Sequence, residues 1–342
     1  MILDVQNFLF SDFLPTFLHI QWPEAIYKWR HKLPMEECTL TLLSERLEYY
    51  KTNKVPIVCT FHNKLPHSNP SKFDQRAYEL IYGEADIIVH HGENSIKLIK
   101  EEFPATTKSK HIICPHGPYT KIPYSSQGAR QKYKIPNQKF SFLFFGRMRK
   151  NKGVNFAGSV FQNFKNKQHC FFSVGPSQHK NILAKFEEKT EKATPTLYQN
   201  YSILKQKFFA SENKRIFHKS ILPSEIPEIM AASDVVFLGH LDGINSGVLA
   251  LGISYGKPVV FPNLGNFQEQ AKGWEWYEVY EPGNIESAVS ALNRMMKRLN
   301  NNFSPGQVII DNTKWYDLNS WDIHVDRIQS TIKKIVNSNY SS

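Results

Sequence analysis

The sequence predicts an α/β protein made of two doubly wound domains. Three observations lead there. Nine short apolar runs, rich in β-branched and aromatic residues, recur along the chain without polar alternation, the pattern of strands buried on both faces of a parallel sheet. Helix-like segments fall between them, so that strand and helix alternate in both halves. The length of 342 residues exceeds what one hydrophobic core usually serves.

The first-half strands are "TFLHI" (16–20), "VPIVCTF" (55–61), "ADIIVHH" (85–91) and "HIICPH" (111–116). In the second half they are "FSFLFFG" (140–146), "HCFFSVG" (169–175), "KRIFH" (214–218), "SDVVFLG" (233–239) and "KPVVFP" (257–262). Predicted helices include "NSIKLIKEEF" (94–103), "PSEIPEIMAA" (223–232) and "SGVLALGISYG" (246–256), with Asn94 and Ser224 as N-caps and Gly256 as a C-cap. The stretch 117–138 is rich in Pro, Gly, Ser and Gln and is expected to link the domains. A polar helical insertion is expected at 189–206. A terminal amphipathic helix is expected at 319–336, with Trp321, Val325, Ile328 and Ile332 at helical spacing. The expected domains are 1–125 and 126–315, followed by a C-terminal helix over 316–342.

An apolar fraction of 41% and an aromatic fraction of 13% exclude a disordered chain. The formal charge of +11 suits a nucleic acid, an acidic membrane or a phosphorylated ligand. The excess is local: from Lys97 to Lys152, thirteen Lys or Arg face only Glu101 and Glu102. Most of these cations are expected to form a solvated basic face. The four cysteines, Cys38, Cys59, Cys114 and Cys170, form no C-x-x-C pair, which predicts a reducing compartment with neither disulfides nor a zinc site. The opening residues lack a basic start, and no apolar run is long enough to span a bilayer, so a cytoplasmic location is expected.

Ligands of open parallel sheets bind beyond the carboxyl ends of the strands, and several strand ends carry unusual residues. "FLFFGRMRKNKG" (142–153) ends a strand at Gly146, which lets a ligand approach the backbone. Arg147, Arg149, Lys150 and Lys152 follow. Arg147 offers a planar fork for phosphate and Lys152 a flexible point charge, together enough to neutralise a diphosphate. In "GHLDGINSGVLALGISYGKPVVFPNLG" (239–265), Asn245, Ser246 and Gly247 open a helix, where free amides and the helix dipole favour an anion. An ordinary capped helix fits that second motif equally well.

The G-R-x-x-x-x-K-G element, the glycine-rich helix start and "SYGKPVVFPNLG" resemble the donor domain of family 4 retaining nucleotide-sugar glycosyltransferases, of GT-B architecture. "HIQWPE" (19–24), "TFHNKLPH" (60–67), "VHHGENS" (89–95) and "CPHGPY" (114–119) resemble a bacterial branch that builds surface polysaccharides. The resemblance covers residues 17 to 330. It implies two Rossmann-like domains facing a cleft, the first on the acceptor side and the second holding the donor. The terminal helix would cross back to the first. Arg147, Lys152 and Gly146 would hold the donor diphosphate, and Asn245, Ser246 and Gly247 its far phosphate. Gly175, Ile221 and Glu225, the last two in "HKSILPSE" (218–225), would meet the nucleotide. It implies hexosyl transfer with retention to a glycan or lipid-linked acceptor, with no cofactor and peripheral contact with anionic lipid at the inner face of a membrane. The family places two glutamates with seven residues between them at this helix. Here those positions are Gly243 and Leu251, and the adjacent Asp242 is expected to take over the sugar contact.

Histidines crowd the first-half strand ends: His19, His62, His90, His91 and His116. Some are expected to be satisfied core residues. His62 is the candidate catalytic contact, with His19, His91 and His116 on the acceptor side. No metal is expected, since the histidines come from four different strands without the i, i+4 spacing of a helical site, and no Asp-x-Asp pair is present. Two other readings stay open. A non-catalytic nucleic-acid binder would use the basic charge, but the aromatics lie inside the strands and do not alternate with the lysines, so no nucleic acid is expected as a partner. A degenerate donor-binding homologue would explain Leu251.

Overall fold

The computed structural model describes residues 5–28, 33–66, 70–122, 128–176 and 213–340. The chain divides into two compact units, Met1–Gly117 with Leu318–Ser342, and Pro118–Asp317.

The first unit runs α1 (Val5–Phe10), β1 (Leu18–Ile20), α2 (Ala25–Lys28), α3 (Glu37–Thr52), β2 (Ile57–Thr60), α4 (Lys72–Gly83), β3 (Ile87–His90), α5 (Asn94–Glu102) and β4 (Lys110–Ile113). Its described strands form one parallel sheet in the order β1-β2-β3-β4. Every residue of β2 and β3 is buried, which is why these strands are uninterrupted apolar runs. Edge strand β4 is only partly covered and starts on an exposed lysine. Helix α4 begins with a capping box. Ser71 Oγ accepts from the Asp74 amide at 3.3 Å, and Asp74 accepts from the Ser71 amide at 2.7 Å.

The second unit runs α6 (Ala129–Lys132), β5 (Phe140–Phe145), α7 (Val154–Asn163), β6 (His169–Val174), β7 (Lys214–Phe217), α8 (Ile226–Ala232), β8 (Val235–Phe237), α9 (Gly247–Ser254), β9 (Val259–Pro262), α10 (Phe267–Gln270), β10 (Tyr277–Tyr280), α11 (Ile285–Asn302) and α12 (Thr313–Leu318). The strands are parallel in the order β10-β9-β8-β5-β6-β7. From β5 the chain steps outward to β7, then returns to lay β8 on the other side of β5. Strand order therefore reverses between β5 and β8, where an open sheet leaves its crevice. Alternate residues of β5 feed the two faces: Leu143 joins Phe172, Val236 and Leu249, whereas Phe142 and Phe144 join Phe161, Phe171 and Phe237 beneath α7 and α11. Each such phenylalanine contributes roughly 1.5–3 kcal/mol by leaving water.

Helix α13 (Trp321–Tyr340) belongs to the first unit, where Ile328 and Ile332 pack on Val58, Ile87, Val89 and Cys114. The expected stripe is corrected at its start. Trp321 and Val325 are exposed, and the packed face continues through Ile335 and Val336. Other expectations also change. Asn94 is the first helical residue and Glu93 the one before it, with no side-chain cap bond. Ser224 lies inside a 3₁₀ turn, Pro223–Glu225, because Pro227 delays the α-helix to Ile226. Strand β10 went unpredicted, since "YEVY" is half-buried over its first three residues at a sheet edge and is broken by Glu278. The supposed linker is structural from residue 128 onward: Ala129, Tyr133 and Ile135 are buried in the second unit's core. Two cations of the basic stretch are likewise internal. Arg130 pairs with buried Asp234 at 2.8 Å, and Lys139 is buried against Asn213. The insertion expected at 189–206 lies outside the described residues. No described helix is long and apolar enough to cross a membrane.

Candidate functional site

In the second unit the chemistry gathers at the β5/β8 reversal. Four glycines let the strand ends close on one another. A Cβ on Gly175 would stand 1.8 Å from the Gly146 carbonyl oxygen, and one on Gly153 1.8 Å from that of Gly239. Gly146 itself, at φ +105°, lies against Val248 in the first turn of α9. The loop after β5 is thereby held beside the α9 N-terminus, where Ser246 Oγ accepts from the Leu249 amide at 3.3 Å.

The Lys152 ammonium donates to His240 Nε2 across 2.6 Å, joining the loop after β5 to the end of β8. Burial first, and Arg149 second, bring Lys152 down to about 8. It remains a cation at neutral pH. Because His240 Nε2 accepts this bond, its proton sits on Nδ1, a buried donor with no partner among the described residues. Burial and the neighbouring Lys152 hold this imidazole neutral. Two more buried donors, Asn245 Nδ2 and Gln270 Nε2, also lack partners among the described residues. Their amide oxygens are engaged: Asn245 Oδ1 accepts from Asn266 and Gln270 Oε1 from the Ser246 amide, both at 2.9 Å. Cations and spare N–H donors at one strand end are what an anion requires.

In the first unit the imidazoles gather instead. His62 Nε2 donates to Gln21 Oε1 at 2.9 Å. Gln21 Nε2 and Thr60 Oγ1 converge on His19 Nε2 at 3.0 and 2.8 Å. His91, His116 and His324 each donate Nδ1–H to a nearby carbonyl, those of Cys114, Gly117 and Pro115 respectively, at 2.8 to 2.9 Å. The ring centres of His62, His116 and His324 lie 5.4, 5.5 and 5.9 Å from that of His91. Trp22 stacks on His62 at 4.3 Å, and Trp321 meets His116 and His324 at 5.7 and 5.3 Å. Burial, reinforced by neighbouring histidines, lowers His62 to about 3 and His19 to about 4. Burial also lowers His91 to about 4. No group of three His, Cys, Asp or Glu among the described residues is arranged to hold a metal.

No protein-family model matches the sequence, and no curated protein matches it. Solved structures do match. Sucrose-phosphate synthase from Thermosynechococcus elongatus superposes with a TM-score of 0.63 at 14% identity, over 90% of this chain and 81% of that one. A glycosyltransferase from Rickettsia africae gives 0.62 at 15% identity, over 89% and 84%. HepE from Anabaena, solved in complex with UDP and glucose, gives 0.58 at 16% identity, over 89% and 76%. These share two units of parallel α/β architecture with the chain. The fold is GT-B.

Within this GT-B chain, Gly146, Arg147, Lys152, Gly175, Asn245, Ser246 and Gly247 are collected around the β5/β8 reversal. Arg147 is exposed, and it acts on the partly covered Arg149 to lower that guanidinium, after burial. Asp242 is exposed in the loop before α9. Gly243 offers no side chain, and Leu251 is buried in the core, so neither position of the missing glutamates can reach a ligand through a polar group. Ile221 packs against the core. The Glu225 carboxylate is spent on its own loop, pairing with Lys219 and accepting from the Leu222 amide at 2.9 Å. His19, His62, His91 and His116 share one cluster. His90 does not join their polar contacts: it donates to His111 Nδ1 at 2.9 Å and packs on Phe61, a satisfied core histidine. Sequence reasoning missed His240, His324 and the place of Trp22 and Trp321. His240 adjoins a motif, but its partner lies 88 residues away.

Proposed function

We propose that the chain is a glycosyltransferase that moves a hexosyl unit from a nucleotide-diphosphate donor to a hydroxyl on a glycan or lipid-linked acceptor. The observation that carries this reading is Lys152: a half-buried ammonium bonded to His240 at the strand-order reversal, in the unit whose α9 N-terminus and buried His240, Asn245 and Gln270 keep N–H donors without partners among the described residues. The GT-B architecture, and the UDP and glucose held by HepE, make a nucleotide sugar the fitting anion.

In the transfer, the bond from the sugar's anomeric carbon to the diphosphate oxygen breaks. A new one forms to the acceptor oxygen, and the hydroxyl proton is released. Charge that builds on the departing diphosphate would be met by Lys152, Arg147 and the amides of α9, protein cations serving the role that a metal serves elsewhere. Asp242 is the candidate contact for the donor sugar, and His62 for the transferred sugar or the acceptor hydroxyl. Ile221 and Glu225 would meet the base through their backbone. Retention, family 4 membership and a surface-polysaccharide role follow from the sequence resemblance. Peripheral binding to anionic lipid would use the exposed lysines of the basic stretch, not Arg130 or Lys139. Vesicles of acidic lipid should then retain the protein at low salt.

A panel of UDP-, GDP- and ADP-sugars tested by thermal shift identifies the donor, because a ligand that binds the folded state raises its apparent stability. One donor should raise the melting temperature, and Lys152→Ala with Arg147→Ala should remove the shift. If no nucleotide sugar shifts the protein, or if the double variant responds like the parent, the reading fails.

A further inference from the structure

We infer that the histidine–tryptophan cluster of the first unit is a binding site for an uncharged sugar ring, one of whose hydroxyls donates to His91 Nε2. Calling that ring the acceptor rests on the transferase reading above; the binding itself does not.

His91 is 5% exposed. Its Nδ1–H is committed to the Cys114 carbonyl at 2.9 Å, which leaves Nε2 as an acceptor, and no described residue donates to it. A buried acceptor left without a donor is destabilising, and a ligand hydroxyl would relieve it. The surroundings decide what carries that hydroxyl. The groups that act on His91 are His116 and His324. Those acting on His62 are His91, His116, His19 and His324. Among the described residues a charge near the cluster is Arg327, three residues beyond His324, and its guanidinium is committed to the Ile113 carbonyl. The imidazoles themselves are neutral, so they offer a phosphate or carboxylate no cation and an ammonium no anion. An uncharged polyol meets neutral nitrogens that accept or donate according to their tautomer.

The aromatic faces fit the same ligand. Trp22 and His62 are stacked on each other, 15° apart, and Trp321 packs against His116 and His324. Trp321 is seated on Gly117, where any Cβ would come within 2.2 Å of its ring. Flat apolar faces with a few placed polar atoms are the usual lining of a small-molecule site, and a sugar ring presents C–H faces edged with hydroxyls.

The test uses the full-length protein and methyl glycosides of glucose, galactose, mannose and N-acetylglucosamine. Binding is followed through the histidine ring Cε1–H signals, with the His91 signal assigned by its loss in His91→Asn. That variant keeps an N–H for the Cys114 carbonyl but removes the Nε2 acceptor. At least one glycoside should move the His91 signal, with an affinity that stays level between pH 8 and 6. His91→Asn should weaken the affinity roughly three- to tenfold, as should Trp22→Ala, in proteins that melt as the parent does. Lys152→Ala should leave glycoside binding intact even where it abolishes donor binding, which separates failure here from failure of the transferase reading. The inference is overturned if no glycoside moves the His91 signal, or if the variants bind as the parent does. It is also overturned if inorganic phosphate or Zn²⁺ occupies the cluster in preference to every glycoside.

Discussion

At the ends of β5 and β8 the second unit collects cations around glycines. At the ends of β1 to β4 the first unit collects imidazoles around tryptophans. Burial acts on both sets in the same direction, disfavouring the charged form. The outcomes differ because the starting points differ. An ammonium lowered from 10.5 to about 8 is still charged at neutral pH, whereas an imidazole lowered from 6.5 to about 3 or 4 is not. One unit thus offers a half-buried positive charge and the other a cluster of neutral imidazoles.

The comparison breaks most severely when the base of the second unit is removed. Buried Asp234 accepts from Arg130 at 2.8 Å, from the Ser141 amide at 2.8 Å and from the Gly306 amide at 2.7 Å. Asp234→Ala leaves the Arg130 charge buried and unpaired and should cost about 3–5 kcal/mol. Hydrogen exchange should locate that loss in the second unit and spare the first. Equal loss of protection in both units would mean that they do not hold their structures separately.

Acid should sharpen the contrast from the other side. Imidazoles kept neutral by the fold take up protons more readily when unfolded. Stability is therefore complete above about 6.5 and declines as the pH falls from there toward about 4. Each such imidazole contributes a slope of up to about 1.4 kcal/mol per pH unit. Urea denaturation at pH 7 and pH 5 measures this directly, and His62→Gln should make the slope shallower. A flat profile would show that these rings are not held neutral.

Much of this architecture was legible in the residues, for identifiable reasons. Strands buried on both faces leave continuous apolar runs, so "FSFLFF" and "IIVH" announce themselves. The half-buried edge strand "YEVY" does not. The stretch at 128–138 looked like a linker because its three core residues, Ala129, Tyr133 and Ile135, are spaced among polar ones. What marks it as structural is the Arg130–Asp234 pair, formed across 104 residues. The motifs at the β5/β8 reversal could be read because each is local, a glycine followed by cations or by a helix start. His240 could not be read as a partner of Lys152, because only the return of the chain from β7 to β8 brings the two together. His324 joins the histidine cluster from a helix 208 residues beyond His116. No spacing rule connects those two positions.

The central claim is that Lys152 is a half-buried cation that binds a diphosphate, and its titration tests that most directly. Calorimetry should follow the affinity for the preferred nucleoside diphosphate between pH 7 and 9.5, in the parent and in Lys152→Met. The parent should bind evenly up to about pH 8 and then weaken by up to about tenfold per pH unit as the free ammonium loses its proton. Lys152→Met should bind weakly throughout, without that bend. A Lys152→Met protein that binds as tightly as the parent, with the same dependence on pH, would contradict the account.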